Sequence, residues 1–450
     1  MKIFCSGIGG AGMSAYAAYQ ASSGHRVSGS DKAESKTLEQ LRSQGLSVSL
    51  MQDGSALPED TELFIYTLAL ADDHPERLRA RKLGIPEKSY FEALGDLCRE
   101  SGKNLIAVCG THGKSSTTAM AAKVLIEAGR DPSVILGVTT SDLQGRNWRK
   151  ENGACHAEHV FLVEACEYRR SFLHLSPSII LLTNADGDHM DYFRDLVDYE
   201  KAFQEFVALL PKDGVLIAHG QGESVRAMID FVKRRGVRVI DADIYALPEL
   251  TIPGVHMRNN AQLALALAGF LGIDEKSARV SLRSYKGSSR RMEIKGKLKM
   301  DNGQWTMTNN EEGEGVIVID DYGHHPKEVV ATLEALKEAY PKQRLICVYQ
   351  PHTHDRTLKF YDDFTKAFRD ADLVIIPNIF DARKERDSGT VDLPSFISDI
   401  ARESKVEVLD GQSLEKTILF LQKTLLPHDI LLTMGAGDVW RIAQQLTVHS

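Results

Sequence analysis

NLIAVCGTHGKSSTTAMAAKVLIEAG, residues 104–129, decides the architecture. The apolar run LIAVC leads into Gly110-Thr111-His112-Gly113-Lys114-Ser115, and an alanine-rich stretch of helical composition follows. That order predicts a buried strand, a tight loop, and a helix that opens at the loop. Backbone N–H groups of such a loop point inward, and the helix N-terminus adds partial positive charge, so the bend suits a phosphate anion. Lys114 can reach outer phosphates as a point charge, and the Ser115 hydroxyl is placed to bind Mg²⁺. The general phosphate-loop pattern would put a glycine at 108, where this chain has valine. The bland alternative is a glycine turn with an exposed lysine; strand before and helix after favour the phosphate reading.

The same order recurs on either side. Residues 2–22, KIFCSGIGGAGMSAYAAYQAS, give a short strand, a glycine turn and a helix. Near 316–339, VIVIDDYGHHPKEVVATLEALKEA opens a third region that continues with RLICVYQPH, ADLVIIPNIF and DILLTMGAG. Short β-branched runs alternating with amphipathic helices predict an α/β fold of parallel sheets covered by helices. At about 150 residues per domain, the 450 residues suggest three domains. The polar stretch CRESGKN (98–104) reads as one linker. The basic run KGSSRRMEIKG (286–296) reads as another, ahead of a hairpin-like stretch with turn residues at Asp301-Asn302-Gly303 and Asn309-Asn310.

Composition removes several classes. Hydrophobic residues are 43% and charged residues 26%, the balance of a globular protein. Acidic residues outnumber Lys and Arg, 62 to 54, for a net charge of −8, so no overall basic footprint invites nucleic acid or an anionic membrane. No apolar run approaches the roughly 18 residues needed to span a bilayer. Six scattered cysteines form no Cys-x-x-Cys pair, which fits reduced thiols of a cytoplasmic enzyme. The glycines near the N-terminus break any signal-peptide core, so that segment is expected to stay in the mature protein.

Two downstream strands offer oxygen ligands. HVFLVEACE delivers Glu164 at its C-terminal end, the edge where ligands gather in open α/β sheets. SIILLTNADGDHMDYF delivers Asp186, Asp188, His189 and Asp191. Taken alone, Glu164 reads equally well as a strand-end surface carboxylate, and His189 as a structural histidine, since Mg²⁺ prefers oxygen. In the first region, Gly7-x-Gly9-x-x-Gly12 with Asp31 is by itself a dinucleotide fingerprint. A nicotinamide-dependent oxidoreductase is therefore one reading, although it leaves GTHGKS without a use.

The central loop, Glu164, and His189 twenty-five residues later resemble the Mur ligases of peptidoglycan synthesis. The motifs are SGIGGAGMSA (6–15), GTHGKSSTT (110–118), VEACEYRRSFL (163–173), NADGDHMDYF (184–193), PGVHMRNNAQLALA (253–266), SSRRME (288–293), DDYGHHP (320–326), YQPHTHDRT (349–357) and LLTMGAGDVW (431–440). Their succession spans essentially the whole chain. The resemblance implies three domains: a Rossmann-like N-terminal domain for a UDP-sugar at 1–97, a central P-loop ATPase domain at 98–292, and a Rossmann-like C-terminal domain for an amino acid at 293–450. It implies an ATP-dependent ligase of cell-wall biosynthesis that joins L-alanine to the lactyl carboxylate of UDP-N-acetylmuramate through an acyl phosphate. A rival within the family attaches an intact murein tripeptide to the same sugar. The enzyme would be cytoplasmic, a monomer or dimer, with no nucleic acid and no membrane insertion.

Site residues follow by the same match. Gly110, Thr111, His112, Gly113, Lys114, Ser115 and Ser116 would hold ATP, with His256 and Asn260 near the nucleotide and Arg291 and Asp321 contacting it from the domain junction. Ser115 and Glu164 would hold a first Mg²⁺ (or Mn²⁺), and His189 part of a second; Lys114, Glu164 and His189 form the catalytic group. Gly7, Gly9, Gly10, Gly12, Ser14 and Asp31 would cradle the UDP-sugar diphosphate, and Tyr322, His324, His352 and Arg356 the amino acid. His325 is expected to orient its neighbours, and TMGAGDVW (433–440) to serve packing and closure. The chain departs from the family at Met257, a frequent Asn; at Thr353, a frequent second Arg; at Cys166, a frequent Asp; and at YTLAL (66–70), a serine-rich stretch in relatives.

Overall fold

The computed structural model of the chain describes residues 1–153, 159–188, 192–220, 223–301, 304–308, 314–380 and 389–446. Three sheets follow one another along the chain. The first contains β1 (Lys2–Ser6), β2 (Arg26–Ser30), β3 (Ser47–Ser49), β4 (Leu63–Tyr66) and β5 (Glu87–Ser89), all parallel, in the order β3-β2-β1-β4-β5. The second contains β6 (Asn104–Cys109), β7 (Ser133–Thr140), β8 (Arg146–Arg149), β9 (Val160–Glu164), β10 (Ile179–Leu182), β11 (Val215–Ala218) and β12 (Arg238–Asp241), ordered β12-β11-β10-β6-β9-β7-β8. The third contains β13 (Glu293–Asp301), β14 (Gln304–Thr308), β15 (Val316–Asp321), β16 (Leu345–Tyr349), β17 (Leu373–Ile376), β18 (Glu407–Asp410) and β19 (Ile430–Met434), ordered β14-β13-β15-β19-β16-β17-β18.

The central strands are the apolar runs of the sequence. In β6 every residue after Asn104 is buried, and β10, β16, β17 and β19 are buried throughout. Strands covered by helices on both faces need no polar alternation. Two edges are not parallel. β8 pairs antiparallel with β7, and β13 pairs antiparallel with both β14 and β15. The hairpin-like stretch is thus part of the third sheet; its turn residues Asn302, Gly303, Asn309 and Asn310 lie outside the described residues.

Helix starts carry the caps their sequences announce. Ser89 and Glu92 form a reciprocal capping box on the helix Tyr90–Glu100, and Asp195, Asp274 and Ser413 cap later helices.

The chain divides into two compact units. The first holds residues 1–250 and 258–285, with the first two sheets. The helix Ala11–Ser22 is buried against both sheets: Tyr19 stacks on Phe161 of β9 at 5.4 Å, and its hydroxyl meets the Ser133 Oγ at 3.2 Å. One hydrophobic cluster therefore runs from Ile3 to Val237. The second unit holds residues 251–257 and 286–450, with a core of Val316, Val348, Leu421, Leu431 and their neighbours. The run SSRRME, expected before a boundary at 292, stands with this unit. The Tyr322 N–H donates to Arg290 O at 2.7 Å, and the Met292 N–H donates to the Asp321 carboxylate at 2.7 Å. Among the described residues, no helix is long and apolar enough to cross a membrane, and Cys5, Cys98, Cys109, Cys166 and Cys347 are free thiols.

Candidate active site

β6 ends at Cys109, and the helix Lys114–Glu127 begins five residues later. The loop between them is short because Val108, where a longer loop would carry glycine, is still a buried strand residue. Gly110 stands at φ 141° and Gly113 at φ 81°, both closed to ordinary side chains. A Cβ at Gly110 would collide with Thr183 Oγ1, and one at Gly113 with Asn260 Oδ1. Asn184, just beyond β10, splints the loop. Its carbonyl accepts from the Thr111 N–H at 3.1 Å, its Oδ1 from the His112 N–H at 2.9 Å, and its Nδ2 donates to His112 O at 3.1 Å. The Thr111 hydroxyl is shared with Tyr199 at 2.7 Å and accepts from the Asp186 N–H at 2.8 Å. Thr111 and His112 thus spend their amides on shaping the loop. The amides open to an anion are those at the helix start, residues 113–116, ahead of the first i→i−4 bond from Thr117 to Gly113.

Two acids answer two consecutive loop side chains. The Ser115 Oγ donates to Glu164 Oε1 at 2.9 Å, and the Gly137 N–H fixes Glu164 Oε2 at 3.0 Å. The Lys114 ammonium meets both Glu167 oxygens, at 3.0 and 2.9 Å, and also donates to Gly110 O and to Thr111 O. Burial pushes the ammonium pKa down, but Glu167, Cys166 and Glu164 outweigh it and the net shift is upward. Lys114 is therefore fully charged. Ser115 and Glu164 present hard oxygen donors side by side, the donor type Mg²⁺ requires. Ser116 is buried in the first turn. His189 lies outside the described residues. Among the described residues, no three His, Cys, Asp or Glu side chains gather into a metal set.

The N-terminal glycine loop is more occupied than its sequence suggests. The Gly7 and Ile8 amides donate to Ser30 O, the Gly10 amide to Gly7 O, and the Gly9 amide to the Asp31 carboxylate at 2.8 Å. Only the first-turn amides, residues 11–13, precede the helical ladder. Gly12 sits against the Tyr90 ring, where no Cβ would fit. Ser14 is buried; its hydroxyl donates to Ala11 O and accepts from Asn147 Nδ2 at 3.1 Å. It joins the helix to β8 rather than facing the loop. Asp31 braces the loop through Gly9.

In the second unit, Tyr322, His324, His352 and Phe380 form a chain of rings with centroids 5.2, 5.8 and 5.8 Å apart. The Arg290 and Arg291 guanidiniums lie 4.9 and 5.1 Å from the Tyr322 ring centre. His325 caps the helix Pro326–Ala339, while Glu328 accepts from the His324 and His325 amides at 2.9 and 3.1 Å. Asp321 is buried and accepts from the Met292 and Gly323 amides, both at 2.7 Å. Burial pushes its carboxyl up to about 6, against the pull of Arg291 and those amides. His256 belongs to this unit and is buried; burial takes its imidazole down to about 4, with Glu328 opposing. The Arg356 backbone N–H donates to Thr353 Oγ1 at 3.4 Å, and Thr353, which caps the short helix His354–Lys359, stands at φ 64°. In the 433–440 loop, Gly435 and Gly437 pack on Gln350, whose Oε1 accepts from the Val439 N–H at 3.0 Å.

A curated UDP-N-acetylmuramate–L-alanine ligase from Clostridium kluyveri is 34% identical over 469 aligned positions, covering 98% of this chain and 97% of that protein. One of the same name from Alkaliphilus metalliredigens is 35% identical over 98% of this chain and 95% of its own length. The chain belongs to the Mur ligase family. Its profiles match in sequence: the Mur ligase catalytic domain at residues 2–101, the middle domain at 108–247, and the glutamate ligase domain at 306–437. The crystal structure of a UDP-N-acetylmuramate-alanine ligase from Thermotoga maritima superposes with a TM-score of 0.80 at 26% identity, covering 99% of this chain and 98% of that one. A murein peptide ligase from Psychrobacter arcticus shares the fold at a TM-score of 0.70 and 21% identity, with 99% and 98% coverage.

In this Mur ligase the structure brings Gly110, Gly113, Lys114, Ser115, Glu164 and Asn260 together around one loop, and Tyr322, His324 and His352 together in another region. Asn184, Thr183 and Glu167 were not singled out from the sequence. Glu167 stood inside the quoted motif VEACEYRRSFL, so its signal was a second acid three residues after Glu164.

Proposed function

We propose that the chain joins L-alanine to the lactyl carboxylate of UDP-N-acetylmuramate at the expense of ATP, giving UDP-N-acetylmuramoyl-L-alanine, ADP and phosphate in the cytoplasm. The carrying observation is the loop itself: open amides at residues 113–116, a charged Lys114, and the Ser115–Glu164 oxygen pair at 2.9 Å. The substrates come from the names of relatives aligned over nearly the full length of both chains.

A carboxylate oxygen is a poor leaving group, so the acid must first be activated. A lactyl carboxylate oxygen attacks the γ-phosphorus, the bond from that phosphorus to the bridging oxygen breaks, and ADP leaves. The amine of alanine then attacks the acyl carbon, loses a proton, and expels phosphate that carries the former carboxylate oxygen. In this reading the open amides hold the phosphates, and Lys114 presents its charge to the transferring group, where charge stabilisation is the main catalytic contribution. Ser115 and Glu164 would hold Mg²⁺, with His189 as ligand to a second ion. When bound, Mg²⁺ neutralises charge on the phosphate oxygens. Asn260 and His256, with Arg291 and Asp321, serve the nucleotide. The amides at 11–13, in a loop braced by Asp31, serve the UDP diphosphate. The planar donors of Arg356 suit the alanine carboxylate, and His352, His324 and Tyr322 serve the same amino acid.

The test labels the lactyl carboxylate with heavy oxygen and follows the released phosphate by mass spectrometry. One labelled oxygen per phosphate is expected, with L-alanine as acceptor. Unlabelled phosphate would contradict the acyl phosphate, and product with murein tripeptide but none with L-alanine would move the enzyme to the recycling reaction.

A further inference from the structure

We infer that Glu167 is a positioning residue for Lys114, holding the ammonium at the mouth of the phosphate loop in the orientation from which it serves phosphoryl transfer. The inference rests on the reading of the loop as an ATP site.

Glu167 is fully buried, yet it lies beyond the end of β9. The Lys114 side chain is 14% exposed and meets both oxygens of that carboxylate. The remaining acceptors of the ammonium are carbonyls of its own loop, Gly110 and Thr111. Those carbonyls fold the side chain inward; the carboxylate supplies the opposing pull that fixes its height above the loop. Buried charges persist when paired and hydrogen-bonded, and a fully buried acid three residues from Glu164 has no packing reason to be there. The pairs are also in register: Glu164 takes Ser115, and Glu167 takes Lys114.

The backbone beyond Glu167 is strained to deliver it. Arg169 and Arg170 stand at φ 52° and 57°, two consecutive non-glycine residues in the left-handed region. Such conformations cost free energy and persist where the surroundings fix them. Here the Arg170 N–H donates back to Glu167 O at 2.8 Å, and its guanidinium binds Asp198 at 2.7 Å and also Glu205. The Phe172 N–H closes the same turn on Cys166 O at 2.9 Å. This turn ties the acid to the helix Leu196–Val207 through Arg170.

Glu167→Gln keeps the shape and removes the charge. The ammonium would then face a neutral amide in place of a carboxylate, keeping at most one hydrogen bond and losing the ion pair. The nucleotide is held largely by backbone amides, so binding survives while the transferring group loses a correctly placed cation. Steady-state kinetics at saturating UDP-sugar and L-alanine are therefore expected to show kcat down by about 10- to 100-fold, with KM for ATP and the calorimetric Kd for ADP within about threefold of wild type. Glu167→Asp, which keeps the charge but draws it back, is expected to fall between the two. A kcat for Glu167→Gln within about twofold of wild type would overturn the inference, as would loss of kcat and ADP affinity in parallel, the mark of a merely structural role. If Glu167→Gln does not fold by circular dichroism, Glu167→Asp decides by the same split: lowered kcat with unchanged ADP affinity supports it, wild-type kcat overturns it. A wild type that forms no ATP-dependent product overturns the functional reading and this inference together; a productive wild type beside an equally fast Glu167→Gln overturns the inference alone.

Discussion

Lys114 has two roles that substitution can separate. Lys114→Ala removes the cation expected to stabilise the transferring phosphoryl group, and kcat should fall by about 10²- to 10³-fold or more. It also leaves Glu167 buried without its ion-pair partner, which should cost about 3 kcal/mol in denaturant unfolding. The Lys114→Ala/Glu167→Gln double variant should recover most of that stability and none of the activity. Equal stabilities for the single and double variants would contradict the pairing. Asp321 sets a pH dependence. Burial holds its folded pKa at about 6, above the ordinary carboxyl value of 3.8, so between those values the native state holds a proton that the unfolded chain has lost. Stability from this group is present below about pH 4 and is lost as pH rises through 6. The unfolding free energy of wild type relative to Asp321→Asn should therefore fall by about 2 kcal/mol between pH 4 and 7; a flat difference would contradict it. At this scale a loop signature made Lys114 and Ser115 legible, whereas Glu164, by itself equally a strand-end surface carboxylate, became a favoured candidate only through the family resemblance. Glu167 was not legible as a partner, because 53 residues separate it from the ammonium it binds. The motif points Ser14 at a ligand, yet its hydroxyl bonds to Ala11 O and Asn147 Nδ2.

Strand, loop and helix act as one element around residues 104–127. Its shape depends on Gly113, whose positive φ and contact with Asn260 leave no room for a side chain. Gly113→Ala should lower stability by about 1–3 kcal/mol and abolish nucleotide binding, checked by thermal unfolding with and without ADP. A variant that ADP still stabilises as it does wild type would contradict this role. The buried strands were readable because strands covered on both faces are runs of apolar residues. The hairpin of β13 and β14 was readable from its turn residues, but its pairing with β15 and the antiparallel edge strand β8 were not, since β8 is short and polar and both depend on the neighbours they meet. Nor did the N-terminal GxGxxG show that four of its amides are already bonded, because one partner is Asp31 at the end of the next strand.

On the scale of the whole molecule, three strand–turn–helix openings predicted three sheets, and three sheets are present. The sequence drew a linker at 98–104 between the first two. In the structure a buried helix carrying Tyr16 and Tyr19 packs them into one unit. Tyr16 and Tyr19, one turn apart on the same face of that helix, meet Tyr90 and Phe161 respectively, a pairing between distant segments that local sequence does not reveal. Three profiles and two full-length relatives fix the family; the reaction depends on three small molecules meeting in one turnover. The most direct test is phosphate release from ATP, measured with purified protein and a panel of amino acids, with UDP-N-acetylmuramate present or omitted. The account predicts release only when both the UDP-sugar and L-alanine are supplied. Release that continues without the sugar, or that ignores the amino acid, would contradict it.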